Sequence, residues 1–331
     1  PQNYDLTYDG AVPASKAVSR SLNVPSVHIL RKYGIESFLS TLRECGMTTF
    51  TRSAEDYGLS LILGGGECRL DEVVSAYASM SRAYSQGESD FPLSDKVALW
   101  HTFNAMSEVN RPDEIDWHVI RSAGRTAWKT GTSYGYRDGW ACGVTPAVAA
   151  GVWAGNASGA AAPGLIGART AGPVLFDILN LFPEKSWFSE PADNEGVLTP
   201  VCHQSGCIAG PYCEERDTLL IPRAGLRTET CPYHYRIDGK NIFRLPPAME
   251  WYYRQKHPEY GRKDRTETMP SGISPMEFIY PEGGSIITLP RQLDGSPGEM
   301  VFNLAHHDNN ATVYWHLDNE YIGETRFIHQ Y

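Results

Sequence analysis

Three groups of residues in this sequence could do chemistry. The first is the run Thr126-Ala127-Trp128-Lys129-Thr130-Gly131-Thr132-Ser133. Lys129 supplies a cation. On a strand, Thr130 and Thr132 share one face. Gly131 between them leaves the backbone bare, so a ligand can lie flat against it. A cation, two hydroxyls and open backbone along one strand edge suit a carboxylate or an oxyanion. The second group is Ser21-Leu22-Asn23, just ahead of Pro25; read alone, it is a polar break in a helix. The third is Cys202, Cys207, Cys213 and Cys231, gathered in a stretch rich in Gly, Pro and Tyr. Such clustering points to a disulfide staple or to a metal site.

Other candidates carry less. Cys45, Cys68 and Cys142 are scattered through apolar or helical surroundings and read as buried free thiols. Gly64-Gly65-Gly66-Glu67 lacks the Lys-Ser/Thr pair of a phosphate loop. His306, His307 and His316 fit surface or cross-strand positions better than a metal site.

The elements that must position these groups follow from periodicity and punctuation. Helices are predicted over 13–23, from Pro25 to Tyr33 with Gly34 as C-cap, over 35–45, over 72–84 capped by Asp71, and over 94–109 capped by Ser94. Three strands with short Gly, Asp and Pro connections are predicted over 125–132, 137–145 and 147–156. A helix over 171–182, with Pro173 in its first turn, closes this part. Helices, then antiparallel strands, then a helix make an α+β arrangement. From Pro270 onward, short alternating segments over 277–280, 285–289, 299–305, 311–317 and 320–327 suggest a small all-β sandwich.

A chain of 331 residues, 41% of them hydrophobic, can bury two domains and a small third one. Its net charge of −10 argues against nucleic acid as a partner. The uncharged stretch 139–168 contains Pro146, Asn156, Ser158 and Pro163, so it reads as strands and a turn, not a membrane span.

Taken together and in this order, Ser21-Leu22-Asn23, the glycine run and Lys129-Thr130-Gly131-Thr132 resemble two of the three motifs of penicillin-binding transpeptidases. The resemblance covers 1–185. The third motif, Ser-x-x-Lys, does not occur anywhere in the sequence; Pro13-Ala14-Ser15-Lys16 has the wrong spacing. The family places that motif ahead of Ser-x-Asn, so the nucleophile is expected upstream of residue 1. The second half sharpens the likeness. Val201 to Gly206, Gly210-Pro211-Tyr212-Cys213, Thr230 to His234 and Tyr314 to Asn319 are similar to the segments that follow the transpeptidase domain in the 1C type of penicillin-binding protein. Cys207 is not part of that pattern.

The resemblance implies a penicillin-binding/serine β-lactamase-like transpeptidase fold over 1–185, a Cys-rich linker over 186–267 and, over 268–331, an Ig-like β-sandwich expected to lack its closing strands. It implies peptidoglycan cross-linking through a serine acyl-enzyme, with stem peptides and β-lactams as ligands and no cofactor. Ser21 would relay a proton near the leaving amine with Lys129 behind it, and Asn23 would hold the substrate amide. Thr130 and Thr132, with the bare Gly131 between them, would receive the terminal carboxylate. The 331 residues alone are expected to be inactive. The full-length protein is expected to carry a glycosyltransferase domain and a single-pass anchor, on the periplasmic side of the bacterial inner membrane. An oxidising compartment favours disulfides among Cys202, Cys207, Cys213 and Cys231 over a metal site; the rival is zinc held by some of these with His234. The alternative function is a non-catalytic cell-wall or periplasmic-protein binding module, with a periplasmic α2-macroglobulin-like protein as a candidate partner.

Overall fold

The computed structural model describes residues 3, 6–88, 90–109, 124–184, 186–260, 273–289, 291, 295 and 298–331. They form two compact units. The first holds Pro1–Leu6, Pro13–Thr199 and Thr218–Arg227; the second holds Thr7–Val12, Pro200–Asp217 and Thr228–Tyr331. The stretch expected as a linker, 186–267, is thus shared between the units. The expected boundary at 267/268 lies outside the described residues.

The first unit is built on a three-stranded antiparallel sheet in the order β1 (Ala127–Thr132), β2 (Asp138–Val144), β3 (Ala149–Gly155). Alternation along β1 decides what lies on each face. Ala127 enters one core with Ala83, Tyr84, Leu99, Phe103 and Val144. Trp128 enters another, with Ala141, Ala171, Leu175 and Leu179. Helices α5 (Leu70–Gln86) and α6 (Lys96–Ser107) supply the first face and α7 (Gly167–Asn180) the second, so the sheet is the middle of three layers. Helices α1 (Ala14–Ser19), α2 (Asn23–Tyr33), α3 (Ile35–Glu44) and α4 (Ala54–Tyr57) precede them. Leu30, Leu39, Phe50, Tyr57 and Leu61 form a further core beneath these. The glycine run belongs to it: a Cβ on Gly66 would stand 2.3 Å from the Phe50 ring. Gly66 is there for packing, while Gly64, left-handed at φ 89°, ends the preceding turn.

Several helix ends differ from expectation, each for a local reason. α5 starts at Leu70 with Arg69 as N-cap, so Asp71 and Glu72 fall in its first turn, where they oppose the helix dipole. The cap of α6 is Asp95, whose carboxylate accepts from Ala98 N–H at 2.9 Å, and Ser94 lies outside the helix. Pro173 sits inside α7, because Thr132 holds the N–H of Gly167 and winding begins there. Pro13 to Asn23 is broken at Arg20–Leu22.

Strands β4 (Val197–Cys202) and β5 (Arg216–Ile221) carry the chain from one unit to the other. In the second unit, β6 (His234–Ile237) and β7 (Lys240–Phe243) form a hairpin. Its turn is Asp238-Gly239, both at positive φ, as a tight hairpin requires. Helix α8 (Pro247–Lys256) follows, within the stretch expected as a linker. A three-stranded sheet of β8 (Met276–Tyr280), β9 (Asn303–His306) and β12 (His329–Gln330) and a hairpin of β10 (Thr312–Leu317) and β11 (Glu320–Arg326) complete the unit. Leu304, Val313 and Trp315 are its buried centre. The segment expected as a strand over 285–289 is not one; Ile286 is almost fully exposed.

A buried polar chain ties α8 to this β region. The Glu250 carboxylate accepts from Arg254 Nη2 at 2.7 Å and from His307 Nδ1 at 2.6 Å. His307 Nε2 accepts in turn from Arg244 Nη1 at 2.7 Å. Glu250 is 2% exposed and Arg244 5%, so both depend on these partners for solvation.

Candidate active-site groove and a cysteine–histidine cluster

The break between α1 and α2 is a tight turn. Ser21 N–H donates to Val18 O at 3.1 Å and Leu22 N–H to Ala17 O at 3.0 Å. Ser21 takes a left-handed conformation, φ 55°, which few side chains adopt without cost. Leu22 is buried and pins the turn, while the Ser21 side chain stays exposed. Asn23 then opens α2.

Lys129 comes from β1, more than a hundred residues on. Its Nζ donates to Ser21 Oγ and, at 3.1 Å, to Thr130 O. Burial lowers the Lys129 pKa to about 8, within reach of neutral pH. An amine so placed can hold a charge at pH 7 and still pass a proton to a hydroxyl.

Thr130 and Thr132 share a face, as strand alternation requires, but it is the face opposite Lys129 and Gly131. On their side the cross-strand neighbours are Ala141 and Gly139, and α7 begins there. Thr132 Oγ1 accepts from Gly167 N–H at 3.0 Å, satisfying one of the helix's unpaired first-turn donors. The cation and the hydroxyls therefore meet at the edge of β1, whose single ladder partner among the described residues is β2. A Cβ on Gly167 would lie 2.2 Å from Gly131 O and 2.6 Å from Trp140 O. Gly167→Ala is expected to destabilise the unit by about 1–3 kcal/mol through forced separation of helix and strand, read as a lowered thermal midpoint; an unchanged midpoint would show that the contact is slack.

The cysteines depart from the expected staple. None of the seven is paired in a disulfide. Cys202, Cys213 and Cys231 turn their sulfurs toward His234 Nδ1, and the four ligand atoms lie within 4.8 Å of one another. Cys207 packs beside them, but its sulfur points at Ser205 O, 4.0 Å away. The fourth position beside the sulfurs is thus taken by an imidazole. No metal was expected, and this group of side chains could hold one. The sequence signal was Cys231-x-x-His234. His306, His307 and His316 do not gather: His307 belongs to the Glu250 chain and His306 Nδ1 lies at Asp308 O.

Known proteins share both halves of this chain. Residues 266–331 match the Penicillin-Binding Protein C-terminus Family. Penicillin-binding protein 1C of Escherichia coli strain K12 is 33% identical over 90% of this chain and 45% of its own length. Penicillin-binding protein 1F of Bacillus subtilis strain 168 is 26% identical over 47% of this chain and 25% of its own length. The chain therefore spans less than half the length of these relatives. Among solved structures, penicillin-binding protein 1A from Haemophilus influenzae superposes with a TM-score of 0.52 at 15% identity, over 70% of this chain and 43% of that one. That likeness is one of fold, an antiparallel sheet flanked by helices.

Proposed function

We propose, from the likeness to penicillin-binding protein 1C of Escherichia coli over 90% of the chain and the family match over residues 266–331, that this chain is of the penicillin-binding type and that its first unit is part of a D,D-transpeptidase domain that cross-links peptidoglycan stem peptides. The observation that carries this reading is the hydrogen bond from Lys129 Nζ to Ser21 Oγ, at the open edge of β1. Two groups distant in sequence meet there in the manner a proton relay needs.

In this reading a serine nucleophile outside these residues attacks the carbonyl between two D-Ala residues. Ser21 passes a proton to the departing amine, and the charge on Lys129 keeps the Ser21 hydroxyl oriented. Asn23, two residues on at the start of α2, holds the substrate amide. Thr132 Oγ1 already accepts from Gly167 N–H, so its proton is left to donate to the terminal carboxylate, with Thr130 beside it. Gly131 keeps the strand backbone accessible, and the Thr132 N–H supplies one half of an oxyanion hole. β-Lactams enter as substrate mimics. The whole protein acts at the periplasmic side of the inner membrane and joins this activity to glycosyltransfer. A purely scaffolding role is the weaker reading, since it leaves the Ser21–Lys129 contact and the depressed lysine pKa without use.

A fluorescent penicillin tests the proposal. It is expected to remain, after denaturation, on a longer protein that contains a Ser-x-x-Lys segment ahead of Ser21, and to be lost from the 331-residue chain. An unlabelled longer protein, folded by circular dichroism, would overturn it.

A further inference from the structure

We infer that Cys202, Cys213, Cys231 and His234 form a structural zinc site in the second unit. Around one zinc ion, with bonds of about 2.3 Å to sulfur and about 2.0 Å to nitrogen, tetrahedral geometry separates sulfur from nitrogen by about 3.5 Å. The distances to His234 Nδ1 are 3.7 Å from Cys202 Sγ, 3.5 Å from Cys213 Sγ and 3.3 Å from Cys231 Sγ. A single ion fits inside that set, whereas an iron–sulfur cluster would hold its ligands farther apart.

The surroundings fit a coordinated set. His234 Nε2 lies 2.8 Å from Gln204 Oε1, an acceptor, so the ring proton sits on Nε2 and the Nδ1 lone pair faces the sulfurs. A ligating imidazole is commonly fixed by such an outer hydrogen bond. Each of the three sulfurs accepts a hydrogen bond: Cys202 from Ser205 N–H at 3.4 Å, Cys213 from Gly210 N–H at 3.3 Å and Cys231 from Ser205 Oγ at 3.2 Å. Cys207, by contrast, is positioned to donate to Ser205 O. Accepting suits a thiolate and donating suits a thiol, so the cysteine outside the set is also chemically unlike those within it.

Backbone hydrogen bonds also hold this arrangement together. Cys202 N–H donates to Cys207 O and Gly206 N–H to Cys202 O, both at 2.8 Å. Cys231 N–H donates to Ile208 O, also at 2.8 Å, and Ile208 bridges both Val201 and Thr230. Three separate stretches of chain are thereby laced at Ile208, with His234 at the start of β6. On binding, the thiols of Cys202, Cys213 and Cys231 each release a proton and the ion accepts four electron pairs, leaving a single net negative charge. The Arg216 guanidinium, bonded to Cys213 O at 2.7 Å and to Gly210 O at 3.1 Å, stands in the same loop to offset it. The ligand set is closed by four protein groups, which marks a structural site.

The test is elemental analysis of the chain after dialysis against zinc-free buffer, with thiol counting before and after a chelator. The expected result is about one zinc per chain and release of three reactive thiols on chelation. Cys207→Ser should keep the zinc, while Cys213→Ser and His234→Ala should lose it. Gln204→Ala should weaken zinc binding by about tenfold. Should those variants fold poorly, the cobalt-exchanged wild-type protein gives an independent readout, since tetrahedral thiolate ligation produces an intense visible spectrum. Metal-free protein whose thiols appear only after reduction would overturn the site in favour of disulfides, as would zinc retained by Cys213→Ser and His234→Ala together. None of these outcomes depends on transpeptidase activity.

Discussion

In a protein that carries this chain behind a Ser-x-x-Lys segment, Lys129→Ala is expected to slow acylation by penicillin by a factor on the order of 10² to 10⁴, the range for a lost acid–base partner. The substitution removes the donor to Ser21 Oγ and the one positive charge the sequence places on β1. Lys129→Arg separates these effects, since it keeps the charge. Burial sets the Lys129 pKa at about 8, so activity that needs the cation should fall as pH rises through 8, far below the ~10.4 of an ordinary lysine. In the arginine variant that alkaline limb should vanish. Stability should move the other way. The unfolded chain holds this proton up to about pH 10, so the folded state gains as pH rises from 8 toward 10. Lys129→Met should abolish that gain. A pH profile of acylation with no limb near 8, in an otherwise active protein, would remove Lys129 from the relay.

Glu250→Ala is expected to cost about 3–5 kcal/mol, the range for breaking a buried ion pair by removing one partner. Both of its carboxylate oxygens are occupied, by Arg254 and by His307. Without the carboxylate, Arg254 loses its ion-pair partner and His307 loses the acceptor that fixes its ring, on which Arg244 depends. Glu250→Gln keeps an acceptor and should cost less. Urea unfolding followed by Trp fluorescence measures both. A loss below about 1 kcal/mol for the alanine variant would mean that water replaces the carboxylate, which the 2% exposure of Glu250 makes unfavourable.

How much could be read in advance differs from site to site. The strands bearing Lys129 and Asp138 were legible because Gly, Pro and Asp punctuate apolar runs of strand length. Their faces were not: alternation puts Thr130 and Lys129 on opposite sides, and only the sheet's two cores fix which side is which. The approach of Ser21 to Lys129 came from likeness to a family, because no local rule links residues so far apart. His234 shows a different limit. Its spacing from Cys231 fits a zinc ribbon poorly, and the convergence of Cys202 on that pair depends on the two bridges at Ile208, which no pattern of cysteines encodes. The strand expected over 285–289 finds no partner among the described residues, and sequence pattern alone does not order a strand.

The contact between Gly167 and Gly131 extends the reach of the groove beyond its lining. With 2.2 Å between a Cβ at 167 and the Gly131 carbonyl, the first turn of α7 acts as the gauge block against which the Lys-Thr-Gly strand is set. Tolerance to an inhibitor could then arise from a residue that no inhibitor ever meets: a wedge at 167, or a slide of α7, would retune the distance between donor and ligand while every binding side chain stayed unchanged.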